Sequence, residues 1–570
     1  MKVAEYVVEF LNKRDVRYVF GYIGGYNQDV IDALHKDGKI KFVLNYHEQA
    51  SAFAVDSYSA VTGQVGVATS SGAPSSCNLV AGIADAYFDS HPCLFIAGSA
   101  HSLAVRRDNR LRQNTFEEID MVHLVSDITK YAVKIVNPQD IRYELEKAFY
   151  LANHGRKGPV LIDLPYDIAR TEIDVSNLKE FVAPNDNYED FDAQVCLELL
   201  KKAKKPVILL GGGATSQTTR KLLEKLLQKV KIPCVASLCG LDVLGHDNEC
   251  FSGFIGHYGN RYANLALSNA DCIFVLGSRL DERQLGGYQT KFSDECSVIR
   301  VDIDKVELGR KIPEIVSIYN SVEFFLDKFS RLSFDGLDFS KWIKLISVWK
   351  ERFPSFDFTK EELSANNFLH MISEFLPQDA VICADVGQNQ MCVAQSLQLK
   401  QGQRIINSAG YGSMGFSLPA AIGAAYARPG VAVFSINGDG GLQMNIQELQ
   451  TLVRDKLPVN IIVLNNTCLG MIRRLQESMY EDRNYVSVEG YSVPDFEKIS
   501  KAYGIKYLKI KGFSEYANFN NFFSKNEPTL TEVILPLKMV NLPEAGCVMD
   551  RQTPLLTDDE YLLVKKEACF

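Results

Sequence analysis

No stretch of this chain offers the run of about 18 apolar residues that marks a bilayer-spanning helix, and no basic block interrupts its 570 residues. With a formal net charge of −9, it is not expected to bind nucleic acid or an anionic membrane. CxxC pairs are absent too. Thirteen cysteines, an odd number scattered along the chain, argue against a disulfide framework and for reduced thiols in a cytoplasmic protein. The opening "MKVAEYVVEFLNKRDV" interleaves charges with apolar residues, as an amphipathic helix does, and lacks the uninterrupted apolar stretch of a signal peptide. No short-period repeat or low-complexity segment is found. What is there is ordinary globular composition, 46% hydrophobic and 23% charged, in a chain too long for a single core.

Strand-like apolar runs alternate with helical patterns through most of the chain. The predicted class is therefore α/β, with three consecutive domains built on open, mostly parallel sheets. The first block, residues 1–170, ends in "GPVLIDLP", a buried strand closed by Pro165, and the polar "APNDNYEDFD" after it reads as a linker. The second, 190–330, opens with "KKPVILLGGGATSQ" and runs through "ADCIFVLGSRLDER" and "CSVIRVDID". Residues 326–360, rich in charge and aromatics, read as another connection. The third block spans 365–540. The tail, 541–570, contains "NLPEAGCVMDRQTPLLTDDE", which has no helical or strand period and is expected to wrap over the surface.

In the third block, "VAVFSINGDGGLQMNIQELQ" places Asp439 between Gly438 and Gly440, with Gly441 following, where a buried strand gives out. Alone, Asp-Gly is turn chemistry, since Gly tolerates positive φ and Asp bonds its own backbone. Downstream, Leu442, Ile446, Leu449, Leu452 and Val453 share one helix face. A second strand, "VNIIVLNN", then ends in Asn465 and Asn466. A right-handed crossover would bring Asp439 and the Asn pair to the edge where open α/β sheets bind ligands. A carboxylate, a carboxamide and loop carbonyls suit Mg²⁺ or Ca²⁺, the shell being completed by a ligand's phosphates. Gly440 and Gly441 would let backbone N–H groups and the helix N-terminus approach those phosphates.

Gly438-Asp439-Gly440, then residues 441–464, then Asn465-Asn466 resembles the signature of thiamine-diphosphate enzymes. The resemblance implies that Asp439, Asn466 and the backbone carbonyl of Cys468 hold the Mg²⁺ that clamps the cofactor's diphosphate. "ADVGQNQM" resembles a diphosphate-binding segment, with Gln388 as expected and Asn389 in place of a usual His. "SAGYGSMGFSLPAAIGAA" resembles the segment around the aminopyrimidine, where Gly412 would accept a bond and Met414 would force the bent cofactor; by pattern alone Met414 is plain core. "FGYIGGYNQDVIDAL" and "ADAYFDSHP" also resemble the family, and residues 71–78 look like a divergent Gly/Pro-rich active-site loop. Glu48 sits where a strand meets a helix in "IKFVLNYHEQASAFAVDSYSAVTG". By default a carboxylate there is a helix cap favoured by the dipole. The resemblance instead makes it the acid that protonates the aminopyrimidine and so generates the ylide that attacks a 2-oxo acid.

Within that family the acetolactate synthase large-subunit group resembles the chain over nearly its whole length. "VPDFEKISKAYG" and "LNNTCLGMIRRLQE" match in the third block. "GRKGPVLIDLP", "LLGGGAT", "FIGHYGNRYANLALSNADCIFVLGSRLDER" and "VIRVDID" follow in the group's order and resemble the parts that hold a mostly structural FAD. That implies contacts from Arg156, Gly211, Gly212, Gly213, Gly256, Arg279 and Asp302, although GGG after a strand is by itself only a tight turn. Arg283, in Asp281-Glu282-Arg283, would face the acceptor and grip a carboxylate bidentately; alone, such a triplet is a surface ion-pair cluster.

The departures from the group fall around the acceptor pocket. Tyr166 stands where the group carries Lys, Leu475 where it carries Trp, Glu117 (after Phe116) where it carries Gln, and Ile23 where it carries Pro. Gly25 and Met471 complete the expected pocket. Leu for Trp would admit a bulkier partner, and Glu for Gln adds a charge that a second 2-oxo-acid anion would dislike. The expected activity is a carboligase that decarboxylates pyruvate and joins the acetyl unit to a second 2-oxo acid, or to a ketone or aldehyde such as a keto-sugar. A simple 2-oxo-acid decarboxylase or flavin-linked oxidase is the alternative. Glu48 and Asp439 lie in different blocks yet must reach one cofactor. In the family they meet across a dimer interface, so a homodimer or homotetramer is expected.

Overall fold

The computed structural model describes residues 1–104, 110–184, 188–285, 296–359, 363–544 and 552–569. Three six-stranded sheets follow one another along it, each parallel throughout. The first holds β1 (Tyr18–Gly21), β2 (Lys41–Leu44), β3 (Gly66–Ser70), β4 (Cys93–Ser99), β5 (Tyr131–Lys134) and β6 (Val160–Pro165), in the order β2-β1-β3-β4-β6-β5. The second holds β7 (Pro206–Leu210), β8 (Cys234–Ala236), β9 (Phe251–Phe254), β10 (Cys272–Leu276), β11 (Ser297–Asp302) and β12 (Val316–Tyr319), in the order β12-β11-β10-β7-β8-β9. The third holds β13 (Val381–Ala384), β14 (Arg404–Asn407), β15 (Val433–Gly438), β16 (Val459–Asn465), β17 (Lys506–Ile510) and β18 (Thr529–Ile534), in the order β14-β13-β15-β16-β18-β17. The first and third sheets thus share one strand order. Central strands such as β4 and β16 are buried at every residue, which is why they read as unbroken apolar runs rather than alternating ones.

One core joins the first and third sheets' domains. The Glu48–Thr62 helix lies on the Ser417–Ala427 helix, where Phe53 and Phe416 meet edge to face at 5.4 Å. A Cβ at Gly423 would stand 1.9 Å from the Ala54 carbonyl oxygen, so the two backbones touch without intervening side chains.

Two readings of the sequence change. Residues 326–360 are more than a connection: they contain the Ser340–Arg352 helix, whose Trp342 and Trp349 are fully buried and 5.6 Å apart in the central core. Its charges mark only the outward face. In the tail, the described residues include the Asp558–Glu567 helix, started by a capping box between Thr557 and Glu560. Val564 and Ala568 bury against the tryptophan pair, and Glu567 accepts from Trp349 Nε1 at 2.9 Å. Part of the expected linker (185–187) and of the tail (545–551) lies outside the described residues. No helix among them is long and apolar enough to cross a membrane.

Candidate active site

β15 delivers Gly438 to the sheet edge, and the helix begins at once: Asp439 is the first residue of Asp439–Met444, with Gly438 as its cap. The expected glycine loop is therefore the first helical turn. The single helix expected over 442–453 is also broken, at Asn445, whose Nδ2 donates to the Gly415 carbonyl at 2.9 Å. The turn is pressed on its neighbours. A Cβ on Gly441 would stand 1.7 Å from Asp385 Oδ2, and one on Gly440 would stand 2.9 Å from Tyr491 Oη and 3.8 Å from Met414 Cε.

The Asp439 carboxylate is buried, which raises its pKa. Its Oδ2 accepts from the N–H groups of Asn466 (3.1 Å) and Thr467 (2.8 Å), and its Oδ1 accepts from the Tyr491 hydroxyl (2.6 Å). Asn466 Nδ2 donates to Gln388 Oε1 at 3.4 Å. Thr467 turns the chain with φ 55° just before Cys468. Asn389 Nδ2 donates to the Asp385 carbonyl at 2.6 Å, and its Oδ1 lies 3.2 Å from where a Cβ on Gly438 would be. Gly412 holds a φ of 81°, its N–H donating to Ser408 Oγ at 3.0 Å. One edge thus gathers Gln388, Asn389, Met414, Gly438, Asp439, Gly440, Gly441, Asn466 and Cys468. Sequence reasoning missed Tyr491 and also Asp385, a fully buried carboxylate pushed up to about 7 by burial.

Glu48 opens the Glu48–Thr62 helix but does not cap it. His47 takes that role, its Nδ1 accepting from the Gln49 N–H at 3.1 Å. The Glu48 carboxylate accepts instead from Asn78 Nδ2 at 2.9 Å. Residues 71–78 are mostly the short Ala73–Asn78 helix rather than a loop, and that helix is what carries Asn78 to the acid. The turn before Glu48 is clamped from the third domain: Glu448 accepts from Tyr46 N (2.7 Å), His47 N (3.1 Å) and Asn45 Nδ2 (3.0 Å). Nothing in the sequence signalled that pairing. Glu48 faces a cavity of about 780 Å³ whose lining among the described residues is all from the first domain, Gly25, Tyr26, Phe116, Glu117 and Tyr166 among others. Asp439 and Asn466 do not line it.

A second cavity, of about 930 Å³, is bounded by all three domains; Arg156, Gly212, Gly213, Arg279, Arg283 and Asp302 line it. Arg156 is ion-paired to Asp304 (3.2 Å) and Glu307 (3.3 Å), Arg279 to Asp281 (3.0 Å). Burial pushes Asp302 up to about 6. Gly211 and Gly256 do not line it. They are close-approach positions, where a Cβ would stand 2.2 Å from the Gly277 carbonyl oxygen and 2.4 Å from that of Arg283. The expected acceptor residues are thus divided. Gly25, Phe116 and Glu117 lie at the Glu48 cavity and Arg283 at the second one, while Met471 and Leu475 lie on the Gly470–Met479 helix, with Leu475 exposed.

Residues 1–124, 193–329 and 385–533 match, in that order, the N-terminal TPP binding domain, central domain and C-terminal TPP binding domain of thiamine pyrophosphate enzymes. This chain belongs to the thiamine pyrophosphate enzymes. Within them it falls in the acetolactate synthase-like group. It is 35% identical to the acetolactate synthase large subunit of Lactococcus lactis (strain IL1403) over 98% of this chain and 97% of that one. It is 34% identical to the acetolactate synthase isozyme 3 large subunit of Escherichia coli (strain K12) over 88% of each. To the probable acetolactate synthase large subunit of Methanocaldococcus jannaschii it is 32% identical, over 94% of this chain and 92% of that one.

For a thiamine pyrophosphate enzyme the donor set at Asp439 is chemically apt. No group of three His, Cys, Asp or Glu residues among the described residues could hold a metal. One carboxylate, the Asn466 amide oxygen and a backbone carbonyl are hard but few, which suits a cation that takes its remaining ligands from a diphosphate.

Proposed function

We propose that this thiamine-diphosphate enzyme is a carboligase that removes CO₂ from pyruvate and transfers the acetyl unit to a carbonyl acceptor. The likeness to acetolactate synthase large subunits over nearly the whole chain carries this reading. When bound, the cofactor supplies the electron sink for decarboxylation. In this proposal Glu48, positioned by Asn78, holds and delivers the proton at the pyrimidine end. Asp439, Asn466 and the Cys468 carbonyl hold Mg²⁺, with Gln388, Asn389, Gly438, Gly440 and Gly441 around the diphosphate and Gly412 and Met414 along the rest of the cofactor. The second cavity would hold FAD: its volume suits a large ligand, and arginines and glycine turns line it. Glu48 and Asp439 would meet one cofactor across a homodimer interface, in a dimer or a tetramer of dimers. No described cysteine is paired in a disulfide, which supports a cytoplasmic setting.

The test is carbon-labelled pyruvate with thiamine diphosphate, Mg²⁺ and a carbonyl acceptor, following CO₂ release and the new C–C bond together. Glu48→Gln should lower both by about 10²–10⁴-fold, the usual worth of a positioned acid or base, while the fold and cofactor affinity persist. A Gln variant working at the wild-type rate would leave Glu48 a merely structural residue.

A further inference from the structure

We infer that the cavity beside Glu48 is built for a neutral, hydroxylated ketone or aldehyde larger than pyruvate, held by Tyr26, Tyr166 and Glu117; this rests on the carboligase reading above. Its wall is aromatic. Tyr26 and Tyr166 stack with centroids 5.7 Å apart and planes 28° from parallel. Tyr26 is fixed at both ends, its N–H donating to Ser71 Oγ (3.1 Å) and its hydroxyl to the Phe116 carbonyl (3.4 Å). Phe116 is 75% exposed at the rim. Rings held this way offer flat apolar faces with polar tips, which cover the C–H face of a polyol or sugar while its hydroxyls bond at the edges.

Charge on this wall disfavours the anionic alternative. Among the described residues two carboxylates, Glu48 and Glu117, line the cavity, with Arg170 as the basic residue beside them. That cation is already engaged: Nε donates to both oxygens of Asp29, at 3.1 and 2.9 Å, with the guanidinium 5.0 Å from the Tyr166 ring centre. Along this wall a second 2-oxo-acid anion would face two carboxylates, and such juxtaposition is how sites disfavour a wrong ligand. Within one chain Arg283, the expected grip for a carboxylate, lines the other cavity, its Nη2 3.9 Å from Met391 Sδ.

Glu117 is held for recognition rather than left on a loose loop. It adopts φ 55°, its carbonyl accepts from the Ala73 N–H at 3.4 Å, and its Oε2 lies over Gly72, 2.1 Å from where a Cβ there would be. An ionised carboxylate only accepts hydrogen bonds, so its natural partners are donors such as neighbouring hydroxyls.

The reaction balances without a further reagent. The bond between pyruvate's carbonyl carbon and its carboxylate breaks and CO₂ leaves. The electron pair left behind forms the C–C bond to the acceptor's carbonyl carbon, and that carbonyl's oxygen takes a proton. Pyruvate, a ketone or aldehyde and one proton give an α-hydroxyketone and CO₂.

The experiment is a competition. Full-length enzyme loaded with thiamine diphosphate and Mg²⁺ receives labelled pyruvate, equal 2-oxobutyrate, and equal amounts of a neutral panel: glyceraldehyde, dihydroxyacetone and a 4-keto-6-deoxyhexose. Products are quantified by mass spectrometry. The ratio of neutral to anionic adducts is unaffected by losses in the shared donor step. We expect at least tenfold in favour of a neutral hydroxylated adduct, falling about tenfold or more in Glu117→Gln and in Tyr166→Lys. A thermal unfolding midpoint at the wild-type value in both variants separates lost recognition from lost fold. Dominance of the 2-oxo-acid adducts, or ratios unmoved in both variants, overturns the inference while leaving the carboligase intact. No CO₂ and no adduct from the loaded wild type overturns both.

Discussion

At His246 the environment sets a titration with no partner charge in contact. The ring stacks on Phe251 at 3.9 Å, its Nε2 lies 3.0 Å from the Leu241 carbonyl oxygen, and burial pushes its pKa down to about 4. Lys350 lowers it further and Asp242 opposes that, both as smaller effects. The unfolded chain therefore takes up a proton near its ordinary value of about 6.5, before the folded one does. Stability is lost as pH falls from there towards 4, by a few kcal/mol at most. Asp302, pushed up to about 6 by burial, works the other way: stability is lost as pH rises from about 4 through 6. We predict that His246→Leu, weaker than wild type at pH 7, loses less stability between pH 6.5 and 4. Asp302→Asn should remove part of the loss on the rising side. Chemical denaturation across this range measures both; slopes equal to wild type would refute the assignments. The places of Asp439, Asn466 and Glu48, where strands end and helices begin, were legible because carboxylates and amides stand out there. Tyr491 and Glu448 were not, since their partners lie far away in sequence and neither belongs to a local pattern.

The elements tell a similar story at coarser grain. Strands β6, β15 and β16 could be read because burial demands near-continuous apolar runs. The Ser340–Arg352 helix was hidden by the charges on its outer face, and the break at Asn445 by a side-chain bond to Gly415 that no periodicity reports. Residues 71–78 read as a loop from Gly, Pro and Ser, yet Pro74 sits in the first turn of a helix, where its missing N–H costs nothing. Sequence patterning also gave no sign that the Glu48–Thr62 and Ser417–Ala427 helices would cross at Gly423, because contact between whole helices is a tertiary fact. Gly423→Ala should force them apart, since the added methyl meets the Ala54 carbonyl oxygen at 1.9 Å. Overpacking of this kind costs about 1–3 kcal/mol. Thermal unfolding should show the loss, and an unchanged midpoint would mean that the crossing relaxes freely.

Across the whole molecule, the first and third sheets repeat one strand order and present an acid each, Glu48 at the head of one helix and Asp439 at the head of another. Their shared core holds them within a chain, but among the described residues the Glu48 cavity draws no wall from the third domain. If each site is completed by another copy, mixing Glu48→Gln with Asp439→Ala under subunit exchange should return activity, because half of the hybrid's sites carry neither lesion. No recovery despite demonstrated exchange would place each site within one chain. The one-sided wall of that cavity has a further consequence, in protein concentration. If each site is shared in this way, a chain would work as a reactant in its own assembly. Its specific activity should then fall on dilution towards the dissociation constant of the dimer, whereas a site closed within one chain would give the same activity per mole at any concentration.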